Sequence, residues 1–161
     1  MRLACIQINA NNNLDHNIDQ AQKLAFKASD EGADIIAFPE NALYMSANSF
    51  DLFKYSSPEN NNQSLLFFCE LSKKLKKFIL IGSLPILLDN GKLANRSYLL
   101  NLEGEVCARY DKIHLFDANL SNGKKYRESD TYEEGEYVVI HDIGIAKLGL
   151  TICFDIRFPY L

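Results

Sequence analysis

Glu40, Lys112 and Cys153 are the side-chain types of a complete acyl-transfer set, although they lie far apart in this 161-residue chain. A free thiol titrates near about pH 8.5, so at neutral pH it needs a base before it can attack a carbonyl carbon. A carboxylate such as Glu40 can take that proton and later return it to a departing amine. A fixed cation such as Lys112 can stabilise the oxyanion of a tetrahedral intermediate. Each residue follows an apolar run of strand character: Ile35 to Pro39, Val106 to Tyr110, and Leu148 to Ile152. In parallel α/β sheets the carboxyl ends of strands line the crevice where ligands bind, so the three could converge there. Taken singly, each has a plainer reading: a surface charge after a proline, a solvated strand-end lysine, a core cysteine.

The elements that must position them follow from periodicity. Residues 2–9 alternate and read as a buried strand. Asn13 offers a helix N-cap, and Leu14, Ile18, Ala21, Leu24, Ala25 and Ala28 recur at helical spacing up to Gly32. Residues 34–38 form a second strand, giving a β-α-β unit with parallel strands. Residues 45–63 are polar and irregular, with room for a short helical turn. A helix follows over about 64–77, then a strand over 78–88. Asp89, Asn90 and Gly91 are a hairpin signal, and strands over 93–102 and 105–110 come next. Residues 111–135 are a long polar segment with little periodicity, of the kind that is functional or disordered. Residues 137–141 and 146–152 read as the last two strands, joined around Gly144. The order suggests an α/β protein whose open sheet carries helices on one face, with no further helix for the other.

Composition narrows the class. The chain is 47% hydrophobic and 24% charged, with a net charge of −4, so no global electrostatic case exists for nucleic acid. Lys73 to Lys77 read as the solvated end of a helix. No apolar run is long enough to span a membrane, and the N-terminus is too short in its apolar part for a signal peptide. A cytoplasmic location is the default. The four cysteines, Cys5, Cys69, Cys107 and Cys153, form no Cys-x-x-Cys pair, and in a reducing compartment they are free thiols. Cys5, Cys69 and Cys107 read as small hydrophobes in apolar segments.

Together the reactive residues resemble the nitrilase, or carbon–nitrogen hydrolase, superfamily. Phe38, Pro39 and Glu40 look like its first signature, Tyr110 to Asp117 like its second, and Gly149 to Pro159 like its third. They occur in the family's order, and the resemblance extends over the whole chain. It implies a catalytic triad of Glu40, Lys112 and Cys153, with Glu128, in the segment Tyr126 to Ser129, as a second glutamate near the site. It further implies an α-β-β-α sandwich, a thioester acyl-enzyme, and no metal or organic cofactor. The wording around Lys112, Glu128 and Cys153 looks most like the Nit branch. Those proteins are amidases acting on small carboxylate-bearing amides, such as ω-amides of 2-oxo acids or deaminated glutathione. On that resemblance His114 and Asp117 shape the loop behind Lys112. Arg157 pairs either with a substrate carboxylate, which suits a guanidinium fork, or with an acid such as Asp155.

The sequence departs from the branch at Tyr160, where a glutamate is usual, and in length. Family catalytic domains continue well past the cysteine. The expectation is therefore a single partial domain over 1–161: half or more of the sandwich, C-terminally truncated, from a split or truncated gene. Such a sheet would leave an edge and an apolar face bare, and the isolated polypeptide is expected to be unstable or inactive. The partners implied are a small-molecule amide, other copies in a homo-oligomer when the domain is complete, or a complementing C-terminal fragment, with no nucleic acid and no membrane. Two competing readings stay open. One is an inactive remnant acting as an interaction module through its sheet edge. The other is a different cysteine hydrolase with His114 or His141 as base.

Overall fold

The computed structural model describes residues 1–161 except Ala47, Asn122 and Lys124. Strands β1 (Leu3–Cys5), β2 (Ile35–Ala37) and β3 (Phe78–Leu87) pair in parallel. They are linked by helix α1 (Leu14–Asp30), the short α2 (Ser49–Tyr55) and α3 (Gln63–Leu75). Asn13 caps α1 by accepting the His16 N–H at 3.1 Å, and Asn62 caps α3 through Leu65 N–H at 2.9 Å. Lys76 ends α3 in the left-handed conformation, with Lys73 and Lys74 in its last turn beside the negative helix end.

Strand β4 (Leu93–Leu100) returns antiparallel to β3, and β5 (Val106–Asp111) returns antiparallel to β4. Two reversals make β5 run the same way as β2 and β3. The carboxyl ends of β2 and β5 therefore open on the same end of the sheet, which is what brings Glu40 and Lys112 together.

The helices cover one face. Ala21, Ala25, Phe68, Ile79, Ile81 and Tyr98 are fully buried in that core. Each large side chain there contributes about 1.5–3 kcal/mol of burial. The long polar segment is more ordered than its sequence suggests. It holds the ribbon β6 (Asp117–Asn119) and β7 (Lys125–Arg127), a 3₁₀ turn at Glu128–Asp130, and β8 (Tyr132–Glu133), which joins β4 in parallel.

Two expectations need correction. Strands β9 (Ile140–Asp142) and β10 (Lys147–Gly149) are shorter than the segments 137–141 and 146–152, and they pair only with each other. Their apolar side lies on the second face of the main sheet, where Leu150 and Ile152 pack with Leu99, Ala108 and Tyr110. Their apolar side chains are buried face to face on the sheet, so this face is partly covered without a helix. The first strand is likewise not buried on both sides. It is an edge of the sheet, so Leu3 and Cys5 are exposed, and Cys5 is not the core residue its neighbours imply. Cys69 and Cys107 are half-buried. Among the described residues no helix is long and apolar enough to cross a membrane.

Candidate active site

Glu40 lies just past β2, on a segment held by its neighbours. Phe38 is buried edge-on against Phe68 at 4.9 Å, and its N–H donates to Leu80 at 2.8 Å. The main chain of Phe38 and Pro39 then crosses β3 at Gly82, where any Cβ would collide with it. The register of β3 slips between Ile81 and Leu84, and buried Ser83 accepts the Asn41 N–H at 3.0 Å. Glu40 is thus aimed by a bulge, a missing side chain and an anchored aromatic ring.

Lys112 continues β5. Its N–H donates to Asn95 at 3.0 Å, and its carbonyl accepts Gly135 N–H at 2.9 Å. Only 2% of its side chain is exposed. Nζ donates to Glu40 Oε1 at 3.1 Å and to Glu128 Oε1 and Oε2 at 3.0 and 2.8 Å. Burial opposes the charge, but the hydrogen bonds and fields of Glu128 and Glu40 outweigh it and hold the ammonium above its usual range. Asn95 stitches the same carboxylates together, donating from Nδ2 to Glu40 at 2.7 Å and Glu128 at 3.1 Å. Glu128 opens the 3₁₀ turn and also accepts Phe116 N–H at 2.6 Å. Asp117 fixes the next residue, accepting from Ser129 Oγ at 2.7 Å.

Cys153 completes the group from a different direction. It is not at a strand end. β10 stops at Gly149, Leu150 to Ile152 run on extended and Leu150 and Ile152 are buried, and Cys153 turns the chain sharply into a 3₁₀ segment with φ +47°. A non-glycine residue in that region is strained by about 1–3 kcal/mol, and such strain clusters at functional sites. The turn leaves the cysteine exposed. Its thiol is pushed up, first by burial and then by the charge of Glu40, while Lys112 acts in the opposite sense. One cation between two carboxylates leaves the group net negative, so the resting sulfur is a thiol beside a base, not a preformed thiolate.

The carbon-nitrogen hydrolase family profile matches residues 2–161. The chain belongs to the carbon–nitrogen hydrolase family. It is similar to nitrilase homolog 2 of Dictyostelium discoideum, 36% identical over 99% of this chain and 48% of that protein. It is also similar to the deaminated glutathione amidase of Yersinia enterocolitica, 32% identical over 99% of this chain and 56% of that one. The chain thus spans about half the length of the curated relatives it matches. The C. elegans NitFhit protein superposes with a TM-score of 0.87 over 98% of this chain and 39% of its own, at 23% identity, a likeness of fold. Saccharomyces cerevisiae Nit3, a member of the nitrilase superfamily, superposes with a TM-score of 0.84 over 98% of this chain and 57% of its own, so the chain holds roughly half of a nitrilase-type α/β sandwich.

Glu40, Lys112 and Glu128 are joined by hydrogen bonds, and Cys153 feels the charges of all three, whereas Arg157 makes no hydrogen bond or ion pair with them among the described residues. Its pairing with Asp155 is ruled out. Arg157 is exposed and makes no ion pair among the described residues, while Asp155 is buried and satisfied by Tyr110, His114 and Ile152. His114 is engaged by Asp155 and stacks on Phe158 at 3.6 Å, in keeping with a shaping role. Among the described residues no cluster of His, Cys, Asp or Glu could hold a metal ion.

Sequence reasoning missed Asn95 and Tyr132. Asn95 opens a polar run, Asn95 to Ser97, in the middle of β4, and nothing in the sequence sets it apart from Arg96 and Ser97. Tyr132 is buried with a hydroxyl that has no partner among the described residues, and burial together with the nearby Glu128 and Glu40 raises its titration. Asn41 Oδ1 and Asn95 Oδ1 are also buried and unpartnered among the described residues, an unusual concentration beside one site.

Proposed function

We propose that this chain carries the reacting half of an amidase that hydrolyses small carboxylate-bearing amides through a thioester on Cys153. Glu40 takes the thiol proton as the sulfur attacks the amide carbon. Lys112 supplies positive charge to the oxyanion that forms. Glu40 then protonates the nitrogen, the C–N bond breaks, and ammonia leaves. Water attacks the thioester with Glu40 again as base, releasing the carboxylic acid and restoring the thiol. Glu128 keeps the Lys112 ammonium in place. The exposed guanidinium of Arg157 suits the substrate carboxylate. The substrate class rests on the likeness to a deaminated glutathione amidase.

The observation that carries this reading is the shared ammonium. Lys112 Nζ lies 3.1 Å from Glu40 and 2.8 Å from Glu128, and the charges of Glu40 and Lys112 both reach the Cys153 thiol. The test is ammonia release from a panel of ω-amides. It is run on the chain alone and on the chain mixed with a polypeptide matching the remaining length of the curated relatives. The expected result is release in at least one arm, reduced to background by Cys153→Ala and by Glu40→Gln. Equal release by Cys153→Ala, or none from the parent in either arm, overturns the reading.

A further inference from the structure

We propose that Asp155 is a positioning residue: its carboxylate locks the turn bearing Cys153 onto the strand end bearing Lys112, and so sets how Glu40 meets the sulfur. The inference rests on the reading of Cys153 as nucleophile and Glu40 as base.

Asp155 is 1% exposed, yet no lysine or arginine pairs with it among the described residues. Its charge is instead distributed over hydrogen-bond partners, two on each oxygen. Oδ2 accepts Tyr110 Oη at 2.7 Å and Ile152 N–H at 2.9 Å. Oδ1 accepts His114 N–H at 2.9 Å and lies 2.8 Å from His114 Nδ1. Tyr110 and His114 bracket Lys112 in sequence, and Ile152 immediately precedes Cys153. One side chain therefore ties together two segments that no strand pairing joins. Tyr110 extends the lock, since its hydroxyl also receives Ile113 N–H at 3.3 Å.

The strain at Cys153 makes such a lock necessary. A cysteine at φ +47° relaxes toward an ordinary conformation unless its surroundings forbid it. Asp155 holds the residue before the turn through Ile152 N–H, and its own N–H returns to Ile152 O at 3.1 Å. Burial alone would raise its titration, but the hydrogen bonds from Tyr110, Ile152 and His114 hold it below the usual carboxylate range. The ionised form that makes all four contacts is thus the resting form at neutral pH. Asparagine is nearly isosteric but presents an NH₂ where one oxygen accepted, so it faces a donor with a donor on one side.

The test is alkylation of the full chain by iodoacetamide across pH 6 to 10, with Cys153 and Cys5 quantified separately by peptide mass spectrometry. Cys5 is exposed at the edge strand β1 and serves as the internal reference. In the parent, the position of the turn places Cys153 where burial first, and then the charge of Glu40, raise its titration against the pull of Lys112. Releasing the turn therefore lowers the pH midpoint of Cys153, and its rate at pH 7 relative to Cys5 rises by about threefold or more. Asp155→Asn is expected to do this, and Tyr110→Phe, which removes one donor and no charge, to do so partially. If Asp155→Asn does not fold, Tyr110→Phe decides the matter alone. Leu71→Ala, in the core on the helix face, lowers the melting temperature but leaves the Cys153 midpoint unchanged, so general destabilisation is distinguished from lost positioning. An unmoved midpoint in the folded Asp155 and Tyr110 variants, while Glu40→Gln does move it, overturns the role of Asp155 alone. An unmoved midpoint in Glu40→Gln overturns the underlying assignment of the base.

Discussion

Replacing Lys112 by methionine removes the buried ammonium and keeps a stem of similar length, so charge and donors are lost with little loss of packing. Nζ makes three contacts of 2.8 to 3.1 Å with Glu40 and Glu128. Removing one partner of a buried pair costs about 3–5 kcal/mol. Two features moderate that figure here. The Glu40 and Glu128 side chains keep 27% and 14% of their exposure, and both retain Asn95 Nδ2 as a donor. A cost of about 2–4 kcal/mol at pH 7 follows.

The pH dependence has a definite sign. In the parent, Lys112 titrates above its usual value, so the stability it confers is fully present below about pH 10.4 and is lost only as pH rises further. In the variant, two carboxylates are left around one amide donor with no cation between them, so neutralising either charge with acid relieves their repulsion in the folded state. The penalty of Lys112→Met is therefore largest near neutrality and shrinks toward pH 5. Adding Glu128→Gln, which removes one of the two charges, should recover part of it at pH 7. Urea denaturation followed by circular dichroism between pH 5 and 8 measures both effects. A cost below about 1 kcal/mol at pH 7, or one that does not vary with pH, refutes the shared-cation argument.

Gly82→Ala should destabilise by about 1–3 kcal/mol, because its Cβ meets main chain and not a yielding side chain. The same shift carries Glu40 off its bulge, so in the amidase assay it should lower ammonia release more than an exposed substitution such as Lys27→Ala; parity would contradict the aiming role of Gly82. At the strained turn, Cys153→Gly should be more stable than Cys153→Ala by about 0.5–1.5 kcal/mol in chemical denaturation, since glycine occupies φ +47° without a Cβ penalty. Equal stability would mean that the turn stores no strain.

Helix α1 illustrates what was legible along the chain. Its cap, its alanine stripe and its stop are all encoded locally, and the observed helix begins at Leu14 as the periodicity dictates. The hairpin at Asp89 to Gly91 and the β-α-β opening are equally local. The candidate side chains Glu40, Lys112, Glu128 and Cys153 were identifiable from their types and motif wording, and the fold brings the first three into hydrogen-bond contact with the thiol within reach of their charges. The path of Cys153 was not. Its strand was expected to run on to residue 152, because Leu148 to Ile152 is an apolar run of strand character. An apolar run reports burial, but it does not say whether burial comes from an edge partner or from a sheet face below.

Local chemistry thus determined the helices, the first strands and the inventory of reactive groups, because caps, turns and periodicity act over a few residues. Packing decided the rest. β5 points its end toward Glu40 only because two antiparallel turns restore its direction. Asn95 becomes a bridge only when Glu40 and Glu128 arrive on either side of it. Asp155, a plausible partner for Arg157 in the linear sequence, is claimed by Tyr110, His114 and Ile152, because a buried carboxylate must take the donors that surround it in space.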